Sequence, residues 1–358
     1  MMQLPFKDRR SGLTAAGIIM ILLGTLAGCG TLTMPFLFFA ASRLPSASRD
    51  GGASLLFGAV AAVGVYAIIA TALIWTGIGS IKRARWVRPM VLIFSALAMA
   101  GGAMAALNSL LTFSAVQRMS ATFTQQVNRA ATAPTTTPTA PGTTVTTTTT
   151  TRLTGPTWAP MFGVLVGIAT MLLFGVGVPA VFFWFYRSND TRLTLEHFDP
   201  YPRWTDGVPV PVLGITVTAT LALLWAFTGW ITPMLYAINR GSVTAFLLAG
   251  GHIVVAIALL PVILWTYLVQ TRGWTLAVAV TILAGAILLA GVITGIATEQ
   301  AAEQAVIISG DPALTETMRA AMDDMRWSQI ISVVVMVSAA LAYLLWCRRF
   351  FDRGQTAA

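Results

Sequence analysis

One polar stretch near the middle of the chain holds a cluster of acidic and histidine side chains. Glu196, His197 and Asp199 lie within a few residues of one another. Carboxylate and imidazole groups can exchange protons with a substrate or bind a metal ion. Adjacent glutamate and histidine side chains point apart in an extended loop, and a metal needs more ligands than this loop offers. We therefore expect neither a metal nor a cofactor, and a lipid-modifying enzyme would depend on this cluster alone.

Two neutral polar side chains inside apolar stretches are the other candidates for a functional role. Asn108 could hydrogen-bond to a neighbouring helix, which is a structural role. His252 could titrate near neutral pH and gate a process, although packing between helices is the simpler interpretation. The sequence contains no HExxH, GxSxG, Walker A, CxxC or GxGxxG motif. These observations predict a protein that is not an enzyme.

Long apolar helices must position these residues. All 22 Lys and Arg and all 13 Asp and Glu residues fall outside eight apolar stretches. A bilayer core of about 30 Å needs about 20 apolar residues in a helix. We predict an all-α polytopic integral membrane helical bundle with eight transmembrane helices. Spans one to eight are predicted at Thr14 to Phe39, Ala53 to Ile78, Pro89 to Ala115, Pro160 to Phe185, Val210 to Ala237, Val243 to Leu268, Trp274 to Ala297 and Ile330 to Trp346.

The distribution of charge predicts the topology and excludes some functions. Proton relays, ion pathways and voltage sensors usually carry charged residues inside their spans, so they are disfavoured here. Most of the 22 basic residues lie on the side of the N-terminus, which predicts a cytoplasmic-membrane protein with both termini in the cytoplasm. The net charge is +9, but the basic residues are scattered through loops, so we expect no nucleic-acid partner.

The two halves of the chain resemble each other in sequence. Thr33-Met34-Pro35 at the end of span one matches Thr232-Pro233-Met234 at the end of span five. Trp75-Thr76 near the end of span two similarly matches Trp265-Thr266 in span six. We therefore predict two parallel four-helix repeats, related by an axis along the membrane normal. They are a first half of residues 1–186 and a second half of residues 209–358.

Residues 187–208, which we call the connector, join the two halves. Pro200 and Pro202 prevent a helix from continuing through them. Phe198, Tyr201 and Trp204 are amphipathic residues that favour the membrane boundary. The connector is either an interfacial linker beneath the bundle or a docking surface for a cytoplasmic protein partner.

Two further loops are predicted on the opposite, extracytoplasmic side. Residues 116–158 are rich in Thr and Pro and lack apolar periodicity, which predicts a solvated tether or a glycosylated stalk. Asp311 and Pro312 are typical of a helix start. We therefore predict an amphipathic helix at residues 312–326, packed on the bundle or lying in the interface.

Small residues and cysteines add two local predictions. GxxxG spacings at Gly24–Gly28, Gly163–Gly167 and Gly291–Gly295 predict close helix packing or a dimer face. Leu26-Ala27-Gly28-Cys29 resembles the lipobox of bacterial lipoprotein signal peptides, which would imply a lipidated Cys29. Because apolar sequence continues beyond Cys29, we expect this segment to remain as a membrane span.

The sequence favours a non-catalytic multi-pass membrane protein with a scaffold or assembly role. Its partners would be the bilayer and a protein that binds its loops. The alternative is a carrier for an apolar or uncharged solute, with a site between the two halves near the bilayer midplane. A polar cavity between the halves would favour the carrier, and a closely packed interior would favour the scaffold.

Overall fold

The structure, a computed structural model, describes residues 7–42, 52–113, 135–136, 146–147, 159–295 and 312–355. As predicted, the protein is an all-α polytopic membrane bundle. The first half contains α1 (Arg10–Ser42), α2 (Gly52–Ile81), α3 (Val87–Leu111), α4 (Ala159–Met171) and α5 (Val178–Arg187), followed in the connector by α6 (Asn189–Phe198). The second half contains α7 (Val210–Gly229), α8 (Ile231–Arg240), α9 (Val243–Tyr267), α10 (Thr271–Thr294) and α11 (Pro312–Gln355).

Seven segments of the described chain are long and apolar enough to cross a membrane. They correspond to predicted spans one and three to eight. Span two corresponds to α2, whose described apolar part is the shorter Tyr66–Ile81, so the count of eight stays a prediction. Span eight, predicted at Ile330 to Trp346, lies inside the membrane-compatible part of α11, Met325–Asp352.

The side of the bundle that carries Arg10, Arg85, Arg187, Arg272 and Arg348 is called the basic face here. Alternating spans bring these residues to one end, because α1, α3, α7 and α10 begin there and α2, α5, α9 and α11 end there. That the basic face lies in the cytoplasm remains a prediction from the sequence.

Span four changes its pitch in the middle. Leu172–Gly177, between α4 and α5, is π-helical, and the N–H of Val178 donates to the carbonyl of Leu173. Pro179 follows this segment, and a proline ring clashes with the carbonyl four residues earlier in a regular α-helix. The wider π turn relieves that clash. Gly175 of this segment lies directly against Gly102 of α3. A methyl group added to Gly102 would lie 2.6 Å from the Gly175 backbone.

Span five and the last helix differ from simple rods. Span five is divided at Trp230 into α7 and α8, and Pro233 lies in the first turn of α8, where its missing N–H breaks no helical bond. The predicted amphipathic helix does begin at Pro312, but it runs on into span eight as one helix of 44 residues. Most side chains of its predicted apolar face lie outside the described residues.

The long loop predicted at residues 116–158 lies almost entirely outside the described residues. Two short pieces are described, Thr135–Thr136 (β1) and Thr146–Thr147 (β2). They pair antiparallel, with Thr135 opposite Thr147. The tether and glycosylation predictions are therefore not tested.

The turns after α2 and α9 have the same backbone conformation. Arg83 and Val269 both adopt a left-handed conformation, with φ of 56° and 54°. Each turn closes α2 or α9 with the paired hydrogen bonds of a Schellman motif. The four bonds are Arg83 N to Ser80 O, Ala84 N to Gly79 O, Val269 N to Thr266 O and Gln270 N to Trp265 O, at 2.9 to 3.0 Å.

This shared turn supports the predicted repeat, which remains a prediction. It makes Ser80 equivalent to Thr266. The sequence alignment instead makes Trp75 equivalent to Trp265, and the two alignments differ by about one helical turn. Ser80 and Thr266 are both fully buried, and each hydroxyl hydrogen-bonds to another span of its own half. The backbone pattern is therefore a better guide to equivalent positions than the tryptophans.

Candidate functional site

The connector is a folded element that lies against the basic face of the first half. The sequence interpretation placed Glu196 and His197 in an extended loop, and this was wrong, because both belong to α6. Ser188 caps the helix by accepting a hydrogen bond from the N–H of Thr191 at 3.3 Å. The helix ends at Phe198, ahead of Pro200, as the prolines predict.

One side of α6 is buried against the first half. Thr191, Thr194 and Leu195 are almost completely buried. Leu195 packs in a cluster with Leu13 of α1 and Tyr186 of α5. The helix therefore covers the point where spans one and four reach the basic face.

Arg85, in the turn between α2 and α3, binds the connector through three carboxylates. Its Nε lies 3.3 Å from Oδ2 of Asp206, and its Nη2 lies 3.8 Å from Oε1 of Glu196. Its backbone N–H donates to Oδ2 of Asp199 at 3.0 Å. Because these carboxylates flank both sides of the proline-containing loop, a single arginine holds both α6 and the loop that follows it.

Asp199 is the most buried of these carboxylates. The guanidinium of Arg203 donates two hydrogen bonds to it, both 3.0 Å long. The hydrogen bond from Arg203 is the main cause that lowers the pKa of Asp199 below its usual value, and the backbone N–H of Arg85 acts in the same direction. Asp199 is therefore an ionised structural anchor near neutral pH, which does not suit a general acid.

The beginning of the chain is fastened to the same place. Nη2 of Arg9 lies 3.5 Å from Oδ2 of Asp190, and the backbone N–H of Arg9 donates to Oγ1 of Thr194. The guanidinium carbons of Arg10 and Arg83 lie 4.8 and 4.9 Å from the centre of the Phe198 ring. Two cations therefore hold the Phe198 ring.

The two carboxylates of the predicted Glu196, His197 and Asp199 cluster are engaged by arginines in this arrangement. Both carboxylates bind arginines, and Glu196 also accepts a 2.7 Å hydrogen bond from Arg192. His197 is exposed and stacks edge-on against Phe198. Within the described residues, no three His, Cys, Asp or Glu side chains are grouped as metal ligands. The geometry therefore assigns these residues to holding the connector.

Asn108 lies at the contact between the two halves. Its Oδ1 accepts a hydrogen bond from Oγ of Ser332 in α11, at 3.3 Å. This is the cross-helix bond that the sequence suggests for an asparagine inside a span. It links span three to span eight near the face opposite the basic face.

His252 packs between spans five and six. Its Nδ1 donates to the carbonyl of Leu248 at 2.8 Å, one turn earlier in α9. The ring lies 5.3 Å from that of Trp225, and a side chain at Gly229 would collide with it. The histidine therefore fills space that Gly229 leaves open, and these contacts give it no ionised partner.

Sequence reasoning missed the residues that organise the basic face. Arg85 is one of three basic residues in the turn of residues 82–86, so nothing in the sequence singled it out. Ser80 donates to the carbonyl of Leu13 at 2.8 Å and also hydrogen-bonds to the hydroxyl of Tyr186. A serine at the end of an apolar helix gave a weak signal, but its two partners come from distant spans.

Fold and site together define a multi-pass integral membrane protein with a structured connector on its basic face. Comparisons of the chain with protein-family models, with curated proteins and with solved structures found no match.

Proposed function

We propose that this protein is a non-catalytic membrane scaffold that binds a protein partner through the connector. The observation that supports it most is the apolar packing between the two halves. Met90 and Ile93 of α3 share one buried cluster with Val212 and Leu213 of α7, and their exposure is 6% or less. Side chains that fill this contact leave little room there for a solute.

The chemistry of the connector also favours a binding surface over a catalytic site. Glu196, Asp199 and Asp206 are bound by arginines, so they hold the segment in shape. Tyr201 and Trp204 are exposed on the surface of the connector, with 74% and 49% of their surface accessible. Rigid exposed aromatic residues are the types that most often contribute binding energy at protein interfaces.

A double substitution, Tyr201→Ser with Trp204→Ser, tests this proposal. Both side chains are exposed, so the variant is expected to fold and to enter the membrane normally. We expect proteins that cross-link to the wild-type connector in membranes to be reduced about tenfold or more, because interface aromatics contribute about 2 kcal/mol or more.

The matched control is Trp327→Ser, on the opposite side of the bundle, where Trp327 is 71% exposed. It is expected to retain the same cross-linked partners as the wild type. An unchanged set of partners in the double variant, at equal expression, would rule out the connector as the scaffold surface.

The carrier remains the second candidate, and one observation favours it. The π-helical segment Leu172–Gly177 next to the Gly102 contact is the kind of irregularity that is frequent at functional sites. A carrier site is expected at the contact between the halves. Against the carrier, a shallow apolar depression of about 280 Å³ lies elsewhere, between α8 and α9 inside the second half. Uptake of uncharged solutes by reconstituted liposomes would favour the carrier, and no uptake would favour the scaffold.

A further inference from the structure

The basic face has more positive charge than its own carboxylates can balance. Thirteen lysine and arginine side chains and six carboxylates are described there. Each of these carboxylates already pairs with an arginine of the same face. The pairs are Asp8 with Arg10, Asp190 with Arg9, Glu196 with Arg192, Asp199 with Arg203, Asp206 with Arg85 and Asp352 with Arg348. The face therefore carries a surplus of positive charge that attracts anions.

The surplus is concentrated where span four leaves the bundle. Glu196 accepts from Arg192 at 2.7 Å, lies 3.8 Å from Arg85, and also attracts Arg88 electrostatically. Arg88 in turn is repelled by Arg192 and donates its Nε hydrogen bond to the backbone carbonyl of Tyr186. Three arginines therefore lie around one carboxylate, and of these Arg85 also pairs with Asp206.

The position of this cluster on the perimeter indicates the nature of the anion. Only 11% of the most apolar part of Phe162–Arg187 is buried in the bundle, so span four faces lipid. Trp184 is 81% exposed in its last turns, and Arg187 is exposed beside it. Tryptophan followed by arginine at the end of a span is typical of the headgroup level, where anionic lipids attract basic residues.

We propose that the exit of span four binds the phosphate of an anionic phospholipid through Arg88, Arg187 and Arg192, with Trp184 at the headgroup boundary. This goes beyond the scaffold proposal, because it concerns a lipid and uses residues other than Tyr201 and Trp204. The lipid phosphate supplies the negative charge that the carboxylates of the face do not.

The test measures lipid adducts on the purified full-length protein by native mass spectrometry, with phosphatidylglycerol and phosphatidylcholine as the two probes. The wild type is expected to retain phosphatidylglycerol preferentially. Arg187→Gln and Arg192→Gln change exposed side chains and are each expected to weaken that retention about tenfold, because each removes a charge-assisted hydrogen bond to the phosphate. Arg88→Lys keeps the charge and should retain most of the binding.

Arg348→Gln is the matched control, because Arg348 is 63% exposed on the same face but lies in the second half. It is expected to leave phosphatidylglycerol retention unchanged. Equal loss in this control would overturn the site in favour of general attraction to a basic face, and absence of any lipid preference would overturn it directly. Inorganic phosphate that displaced the lipid at equal concentration would overturn the assignment to a lipid. The Tyr201 and Trp204 variant should retain the lipid, which separates this result from that of the scaffold test.

Discussion

The two halves close their ends at the basic face in different ways, although their inner turns share one backbone conformation. In the first half, α6 and the loop after it lie over the spans and are held by Arg85, Arg9 and Arg203. In the second half, neutral hydrogen bonds join the helices at this end. Tyr343 of α11 donates to the carbonyl of Pro211, and Trp274 of α10 donates to the carbonyl of Leu344.

The same turn conformation can therefore be combined with ion pairs in one half and with neutral hydrogen bonds in the other to hold the helix ends together. A charged closure responds to salt and pH, because its energy depends on screening and on protonation. A neutral closure responds to neither near physiological conditions. The first half is therefore the half in which the surroundings can alter the structure.

The largest expected effect compares the helix contacts of the two halves. Gly102 in the first half meets the backbone of Gly175, whereas Gly285 in the second half meets the side chain of Val337. Because backbone cannot move aside easily, Gly102→Ala is expected to lower the free energy of unfolding by about 2 kcal/mol. Gly285→Ala should lower it by less than about 1 kcal/mol. Denaturant titration in mixed micelles measures both, and equal losses would contradict the distinction.

A smaller effect compares the charged and the neutral closures directly. Arg85→Ala removes ion pairs to Glu196 and Asp206, which are about a quarter exposed, and should cost about 1 kcal/mol at low salt. Tyr343→Phe removes the bond to Pro211 and should cost about 1 kcal/mol as well.

Salt separates these two variants. The loss caused by Arg85→Ala should shrink at about 1 M salt, where the screening length is about 3 Å. The loss caused by Tyr343→Phe should stay the same. If both losses changed alike with salt in thermal unfolding, the charged closure of the first half would not be a correct description.

The smallest effect concerns pH. The pKa of Asp199 is lowered in the folded state, so its carboxylate stabilises the folded protein above the unfolded pKa of about 3.8, and this contribution is lost as the pH falls through the folded value. Asp199→Asn should therefore be less stable than the wild type at pH 6, and the difference should begin to shrink as the pH falls below about 4. The unfolding temperature measured against pH gives the result.

The control for the pH experiment comes from the second half. Asp352 lies 3.9 Å from Arg348 and is 59% exposed, so Asp352→Asn should change stability little at any pH. A pH dependence of the same size in Asp352→Asn would mean that the effect is general to surface carboxylates.

Much of the fold could be predicted because lipid imposes simple rules. A span was predicted wherever an uncharged apolar stretch is long enough to cross a bilayer. Seven of the spans predicted in this way coincide with helices that the structure describes. The same rules fail where a helix carries polar residues, since α6 is short and mostly polar and was read as an extended loop. They also missed the continuity of α11, because a change from polar to apolar composition does not end a helix.

The candidate site was harder to predict than the fold. Glu196 and Asp199 stood out by type, but their partners Arg85 and Arg203 did not differ in sequence from other arginines. A cluster of acids near a histidine suggests chemistry until the distance to the nearest arginine is known. Asn108 was the exception, because an amide inside a span needs a hydrogen-bond partner, and Ser332 provides it.

The sequence by itself determined that this chain is a polytopic membrane protein, and it located most of the spans and the face where basic residues gather. Those features follow from transfer of single residues between water and lipid, which needs no knowledge of neighbours. Only the tertiary structure decided that Arg85 binds the connector, that Gly102 meets Gly175, and that the two halves close differently. These depend on contacts between residues far apart in sequence, and a local pattern contains no information about such distances.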